Sequence, residues 1–268
     1  MEHYALNQLG QIVYNYCGLN YLDNLPSLQS KVTKRLQDLG NISLYNYIKY
    51  IEQHPTEWEV LVEILTVNET YFFREDKQLS VYQEIVLPSL QEKDSQQPIK
   101  VWSAACSTGE EPYSLAMTTL DSPHQLSRTV QIVGTDISKR VLHTAEQGVY
   151  SKHSLSFRRM PEHWLKQYFT EHPDKYALNP KVKNMVEFQY LNLLDETNMG
   201  RRQEYDVIFC RNVLIYFNTE TVKKVASSFY HSLKKGGVLF LGHAETISNM
   251  GIGFETISTN GTFYYRKE

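Results

Sequence analysis

The sequence predicts a mixed α/β chain in two parts: helices alone over residues 1–75, then alternating strands and helices over 76–268 that close on an antiparallel hairpin. Three observations carry this. The apolar spacing before residue 75 is helical throughout, short β-branched runs then alternate with helical stretches from Ile99, and Asn260-Gly261 separates two final strand-like runs. With 268 residues and 41% hydrophobic content, the chain can bury one large core and one small one.

In the first part, Leu28, Val32, Leu36 and Leu39 share a helical face, with Pro26 near its start and Gly40 beyond its end. Lys31, Lys34 and Arg35 form a second stripe on the same helix. That stripe is either a solvated face or a docking surface for an acidic partner. A further helical region runs from Tyr45 to Thr66, with Trp58, Leu61, Ile64 and Leu65 on one side. Next comes Phe72-Phe73-Arg74-Glu75, which reads either as an aromatic wedge between the two parts or as part of a polar donor set with Asn68, Thr70 and Arg74. The segment Gln91 to Pro98 is a polar surface loop.

From Ile99 the pattern changes. Strand one, Ile99 to Ala104, is followed by a turn of small residues ending in Gly109 and by a helix over Pro112 to Leu120. Strand two is Val130 to Thr135, and Ser138 opens a helix ending at Gln147. After Gly148 a small helix and strand excursion interrupts the pattern until Met185. Regularity returns in Met185–Leu191, in Tyr205–Cys210, in a helix over Thr221–Leu233, and in a strand over Val238–Gly242 placed after Gly236-Gly237. Phe254–Thr259 and Thr262–Arg266 make the closing hairpin.

The turn after strand one indicates the ligand. Small side chains let a ligand approach the backbone, and the helix N-terminus offers unpaired N–H groups. Glu110 and Glu111 stand where a phosphate site would carry glycines and a Lys or Arg, so they disfavour a pyrophosphate. They suit a ligand bearing positive charge and hydroxyls, such as S-adenosylmethionine. Asp136, ending strand two, is placed to bond ribose hydroxyls, although it lies further along than the roughly 20 residues of dinucleotide folds. It could otherwise cap the next helix. The missing G-x-G-x-x-G and the antiparallel closing strand favour a Rossmann-like methyltransferase sheet of class I over a dehydrogenase.

Composition sets further bounds. A formal charge of −3 gives no basic field for nucleic acid. Cys17, Cys106 and Cys210 are far apart, which disfavours a disulfide framework or a zinc site, and the nine histidines show no metal spacing. No metal is expected. Without a leader-like N-terminus or a run of membrane-spanning length, a soluble cytoplasmic protein without membrane insertion is expected.

Five segments together resemble the signature blocks of the bacterial chemotaxis receptor methyltransferases, the CheR family. They are NETYFFRE (68–75), WSAACSTGEEPYSLA (102–116), GTDIS (134–138), LNLL (191–194) and FCRNVLIYF (209–217). The resemblance implies S-adenosylmethionine-dependent methyl esterification of glutamates on the cytoplasmic helices of transmembrane chemoreceptors, with S-adenosylhomocysteine as product. It implies a helical domain over 1–75 and a methyltransferase domain over 76–268 with an inserted β subdomain at about 149–188. It also implies that Asn68, Thr70 and Arg74 contact the cofactor, with Arg74 near the reacting methyl. Glu111 would meet the methionine ammonium, with Glu110 as a less certain neighbour, and Asp136 would hold the ribose. Asn192 and Leu193 would flank the adenine, Arg211 and Asn212 would line the methionine end, and Tyr216 would face the acceptor.

Family members that bind a receptor pentapeptide use the inserted subdomain and a Gly-rich turn. Here the stretch from Tyr168 to Val186 is shorter and lacks glycine, so no pentapeptide binding is expected. An enzyme without that tether would meet receptors through its own surface, with Lys31, Lys34 and Arg35 as the candidates. Two alternatives share the fold: a methyltransferase acting on a small molecule or nucleic acid, and an inactive receptor-binding scaffold.

Overall fold

The computed structural model describes residues 2–91, 97–124, 126–199 and 204–268, so the expected loop at Gln91–Pro98 lies largely outside the described residues. The chain opens with α1 (Glu2–Cys17), α2 (Leu25–Asp38), α3 (Leu44–Gln53) and α4 (Glu57–Leu65). The Asn24 side chain caps α2 by accepting from the Ser27 N–H, Pro26 lies in its first turn, and Leu28 and Val32 are fully buried. One correction concerns Tyr45–Thr66, which forms two helices. Pro55 has no N–H to donate and its ring disfavours a helical His54, so the chain breaks there before restarting at Glu57.

The basic stripe on α2 is also corrected. Arg35 turns inward and forks onto Glu57 of α4 (Nε to Oε1 2.8 Å, Nη2 to Oε2 2.6 Å), and the Tyr47 hydroxyl donates to the same carboxylate at 2.9 Å. Lys31 donates to the Ile64 carbonyl at 3.3 Å, and Lys34 is exposed. Arg35 therefore holds α2, α3 and α4 together rather than forming part of a docking face. Since Glu57 is only 3% exposed, Arg35→Ala should cost on the order of 3 kcal/mol, as expected for stranding one partner of a buried pair. Urea unfolding measures this.

α5 (Asp76–Val81) and α6 (Leu87–Gln91) are joined by a π turn over Tyr82–Val86. Pro88 cannot donate within the helix, which accounts for the local loosening. The sheet follows: β1 (Ile99–Ala104), β2 (Val130–Asp136), β6 (Val186–Tyr190), β7 (Tyr205–Cys210), β8 (Leu233–Leu241), β9 (Phe254–Thr259) and β10 (Thr262–Lys267). Their order is β6-β2-β1-β7-β8-β10-β9. The first five are mutually parallel, while β10 runs antiparallel to both β8 and β9 across the Asn260-Gly261 turn. The order reverses at β1, which opens a crevice at the carboxyl ends of β1, β2 and β7.

The connecting helices are α7 (Glu110–Leu120), α8 (Lys139–Gln147), α11 (Glu196–Met199) and α12 (Thr219–Ser232). Several boundaries move from expectation, α12 among them, which starts at Thr219 rather than Thr221. α7 starts two residues early, because Gly109 takes a left-handed turn (φ 92°) and Pro112 is tolerated in a first helical turn. β8 runs through Gly236-Gly237 rather than starting after them. Its pairing slips between Tyr205 and Val207, and a Cβ on Gly237 would stand 2.8 Å from the Lys234 carbonyl.

The excursion after α8 is a three-stranded antiparallel sheet of β3 (Val149–Ser151), β4 (Phe169–Glu171) and β5 (Lys175–Leu178), ordered β3-β5-β4. It carries α9 (Glu162–Tyr168) and α10 (Pro180–Lys183). Phe72 is fully buried against its Tyr150, Phe157 and Phe169, and Phe73 packs on Trp164. The aromatic wedge is thus real, but it grips this subdomain rather than the N-terminal helices. Those helices dock on the main sheet region through the Lys139–Glu59 and Arg140–Glu63 ion pairs and the bond from the Asn192 amide to the Tyr16 carbonyl.

Candidate active site

The turn after β1 has three left-handed residues in alternation, Ala105 (φ 56°), Ser107 (φ 49°) and Gly109 (φ 92°). A Cβ on Gly109 would meet Ala145 Cβ at 2.8 Å, so glycine is required there. The turn is tied down when Cys106 N–H donates to the Thr135 carbonyl and Ser107 N–H to Asp136 Oδ2, both at 2.9 Å. Asp136 Oδ1 accepts the Ser138 N–H at 2.9 Å, while Ser138 itself caps α8. Helix capping therefore belongs to Ser138, and Asp136 lines the cleft wall with acceptor capacity beyond its two backbone bonds. Burial pushes its carboxyl above the usual range, opposed by these backbone donors.

A cleft lies above this turn. Asn68, Thr70, Arg74, Glu111, Asp136, Arg211, Asn212 and Tyr216 all line it. Asn192 and Leu193 instead line an adjoining apolar pocket with Cys17, Leu19, Ile137 and Phe217, and that pocket shares Leu19, Thr66, Ala105, Ile137 and Val213 with the cleft. Leu19 and Ile137 escaped the sequence reading. Ile137 was findable as the residue following the acid at the end of β2; Leu19 had no local signal.

Adjacent glutamates diverge, because successive helical positions are rotated by about 100°. Glu111 faces the cleft, accepting the Ser103 hydroxyl (2.6 Å) and Arg211 Nε (2.7 Å). Glu110 faces the inserted subdomain and accepts the hydroxyls of Thr108 and Ser156, both at 2.7 Å. Burial holds its carboxyl above the ordinary range, against those two bonds. The folded state thus binds that proton more tightly than the unfolded chain, and the cost of ionising Glu110 grows as pH rises from about 4.3 through the raised value. The melting-temperature difference of Glu110→Gln over the parent should therefore be more positive at about pH 8 than at about pH 4. Equal differences would refute this.

Arg211 lines the cleft and also holds its neighbours in place. Its side chain is buried, and its Nη1 donates to the Arg74 carbonyl (2.7 Å) and to Gln78 Oε1 (3.3 Å) while Nε holds Glu111. It positions two cleft residues. Asn212 follows in a left-handed conformation (φ 61°), its N–H donating to buried Glu245. Glu245 also accepts from Leu214 and Gly242 N–H, fixing the loop that carries Tyr216. It was missed, although the run LGHAE directly after β8 was visible.

Phe73 (φ 58°) and Glu75 (φ 54°), both left-handed, flank Arg74. Non-glycine residues of this kind cluster where surrounding structure holds a functional group in place. The Arg74 guanidinium donates to the Glu69 carbonyl (3.0 Å) and lies 5.5 Å from the Tyr71 ring. It makes no carboxylate ion pair among the described residues. Burial raises the Tyr216 phenol, and the Arg74 charge partly opposes this; both side chains line the cleft.

The residues present suit S-adenosylmethionine. Asn212 Oδ1 is buried without a hydrogen-bond partner among the described residues, an acceptor matched to an ammonium donor. Glu111 retains acceptor capacity beyond its two bonds, Asp136 suits a diol, and the adjoining pocket suits a flat apolar ring. Among the described residues, no group of three or more His, Cys, Asp or Glu could hold a metal ion.

A sheet that reverses at β1, with an acid ending β2 and carboxylates where phosphate binders place glycines, defines an S-adenosylmethionine-dependent methyltransferase. Comparison with known proteins makes this specific. Residues 68–263 match the family described as CheR methyltransferase, SAM binding domain. Chemotaxis protein methyltransferase 1 of Pseudomonas aeruginosa is 34% identical over 93% of each chain. The chemotaxis protein methyltransferase of Borreliella burgdorferi is 35% identical over 90% of this chain and 88% of its own, and that of Escherichia coli 32% over 91% and 84%. The chain belongs to the CheR methyltransferase family.

Proposed function

We propose that this enzyme transfers the methyl group of S-adenosylmethionine to glutamate carboxylates on the cytoplasmic helices of chemoreceptors, giving methyl esters. The observation that carries this reading is Arg74, an arginine whose guanidinium makes no carboxylate ion pair among the described residues and which lines the same cleft as Tyr216. The names of the relatives support it. When bound, the cofactor supplies an electrophilic methyl on a sulfonium.

The chain's own residues then have defined tasks. Asp136 holds the ribose, Glu111 and Asn212 the amino-acid end, and the pocket at Leu193 the adenine. Asn68 and Thr70 complete the wall. An acceptor glutamate has a pKa of about 4.3 and is already ionised at neutral pH, so no general base is needed. Arg74 grips one acceptor oxygen and leaves the other free to attack, while the Tyr216 hydroxyl fixes the approach. Intact Arg74 and Tyr216 disfavour the inactive scaffold.

The reading places the protein in the cytoplasm; no helix among the described residues is long and apolar enough to cross a membrane. It divides the chain near residue 75. It has receptors met without a pentapeptide tether, in keeping with the short, glycine-free turn between β4 and β5. With Arg35 committed to Glu57, docking falls to Lys31 and Lys34. Exposed charges act mainly on encounter and are screened beyond about 8 Å at physiological salt. Lys31→Glu with Lys34→Glu should lower receptor methylation several-fold at low salt and leave cofactor affinity intact; equal rates would return both lysines to a solvated face. The function itself is tested by incubating receptor-containing membranes with enzyme and cofactor and mapping modified peptides by mass spectrometry. Methyl groups on receptor glutamates are expected, and modification elsewhere would reject the assignment.

A further inference from the structure

The acceptor block is fastened from an unexpected side. Phe72 N–H donates to the Ser156 carbonyl at 2.9 Å and Phe73 N–H to Ser114 Oγ at 3.0 Å. Both serines lead to one residue. Ser156 donates its hydroxyl to Glu110 Oε1 at 2.7 Å, and Ser114 donates to the Glu110 carbonyl at 2.6 Å. Thr108, in the turn that lines the cleft, donates to Glu110 Oε2 at 2.7 Å, and the Tyr150 hydroxyl of β3 donates to the Thr108 carbonyl at 2.8 Å. Three pieces of chain thus meet at Glu110: the cofactor turn, the segment carrying Arg74, and the inserted subdomain.

Glu110 is 1% exposed and forms no ion pair among the described residues. An acid buried without a cation is a poor stabilising device, and an apolar filler would pack there at less cost. What a carboxylate supplies is two acceptor oxygens that fix two hydroxyls in one geometry. That matters here, because Phe73 and Glu75 hold left-handed conformations on either side of Arg74, and such conformations persist only when their surroundings over-determine them.

We propose that Glu110 and Ser156 are positioning residues whose carboxylate–hydroxyl joint locks the Phe72–Arg74 segment against the cofactor turn, so that Arg74 presents the acceptor oxygen to the methyl group. The inserted subdomain thereby acts on the chemical step as well as on packing. This rests on Arg74 orienting the acceptor.

The test uses Ser156→Ala, Glu110→Ala and Glu110→Gln in the full chain, with receptor membranes as substrate. Ser156→Ala removes the hydroxyl yet keeps the carbonyl that bonds Phe72, so it leaves the backbone path intact. Both alanine variants should lose about tenfold or more in kcat, while KM and the calorimetric cofactor Kd stay within about twofold of the parent. Glu110→Gln should recover most of the loss, since an amide can accept one hydroxyl and donate to the other. The double alanine variant should be no worse than Glu110→Ala alone, as for groups acting as one unit. Amide exchange at Phe72 and Phe73, read by mass spectrometry, should quicken in Ser156→Ala. Parental kcat in Ser156→Ala, or a loss confined to cofactor Kd, would overturn the proposal. If the parent transfers no methyl to receptor glutamates, the functional reading fails instead. The exchange measurement then still decides the joint, with unchanged protection at Phe72 and Phe73 rejecting it.

Discussion

Arg74→Ala is expected to abolish most turnover, by about 100-fold or more, while cofactor affinity and melting temperature stay near those of the parent. The structure explains the separation. The guanidinium makes one hydrogen bond to the Glu69 carbonyl and lies over the Tyr71 ring, both in a partly exposed setting, so its removal should change stability by no more than about 0.5 kcal/mol. Alanine keeps the carbonyl that Arg211 grips, and Phe72 and Phe73 keep their aromatic partners. On the proposed mechanism, what is lost is the fork that orients the acceptor. Parallel loss of stability and activity, followed by thermal melts beside initial rates, would show instead that Arg74 serves the wedge.

The second large effect is expected at Asp136. A bond from a carboxylate to ribose is a charge-assisted one, worth about 1.5–3 kcal/mol, so Asp136→Ala should weaken cofactor binding by roughly 10- to 150-fold in calorimetry. Unlike Arg74, this residue also serves the fold. Its oxygens accept from Ser107 and Ser138 N–H, and stranding those donors should cost a further 1–3 kcal/mol or so of stability. A lowered melting temperature together with a weakened Kd is therefore the expected pair. An unchanged Kd would remove Asp136 from the site.

The sheet was legible in the sequence because its signals are local. β1, β7 and the closing hairpin announce themselves through β-branched runs and Asn-Gly, and Asp136 follows from its place at a strand end. The site residues drawn from the five blocks converge on the cleft and its adjoining pocket.

What stayed hidden depends on contacts between elements distant in sequence. Helical periodicity placed Arg35 beside Lys31 and Lys34, but its partner Glu57 lies on another helix and meets it only after α2 packs on α4. Arg211 was similarly opaque. Its position after β7 marks it as a cleft residue, whereas its role depends on Glu111 and the Arg74 carbonyl approaching from two other elements. Helical spacing alone did not split Glu110 from Glu111, since which one faces the cleft depends on where the helix begins, and that was set by Gly109 rather than by Pro112; the family resemblance preferred Glu111, the one that lines the cleft.

The most direct test of the central claim, methyl transfer to a carboxylate acceptor, is the base lability of the product. Receptor-containing membranes are incubated with enzyme and methyl-labelled S-adenosylmethionine, and the labelled protein is then exposed to mild alkali. Methyl esters hydrolyse under these conditions and methylamines do not. The account predicts that the parent labels receptor protein, that the label leaves as volatile methanol, and that Arg74→Ala incorporates almost none at equal cofactor occupancy. Label that survives alkali, or equal incorporation by Arg74→Ala, would contradict it.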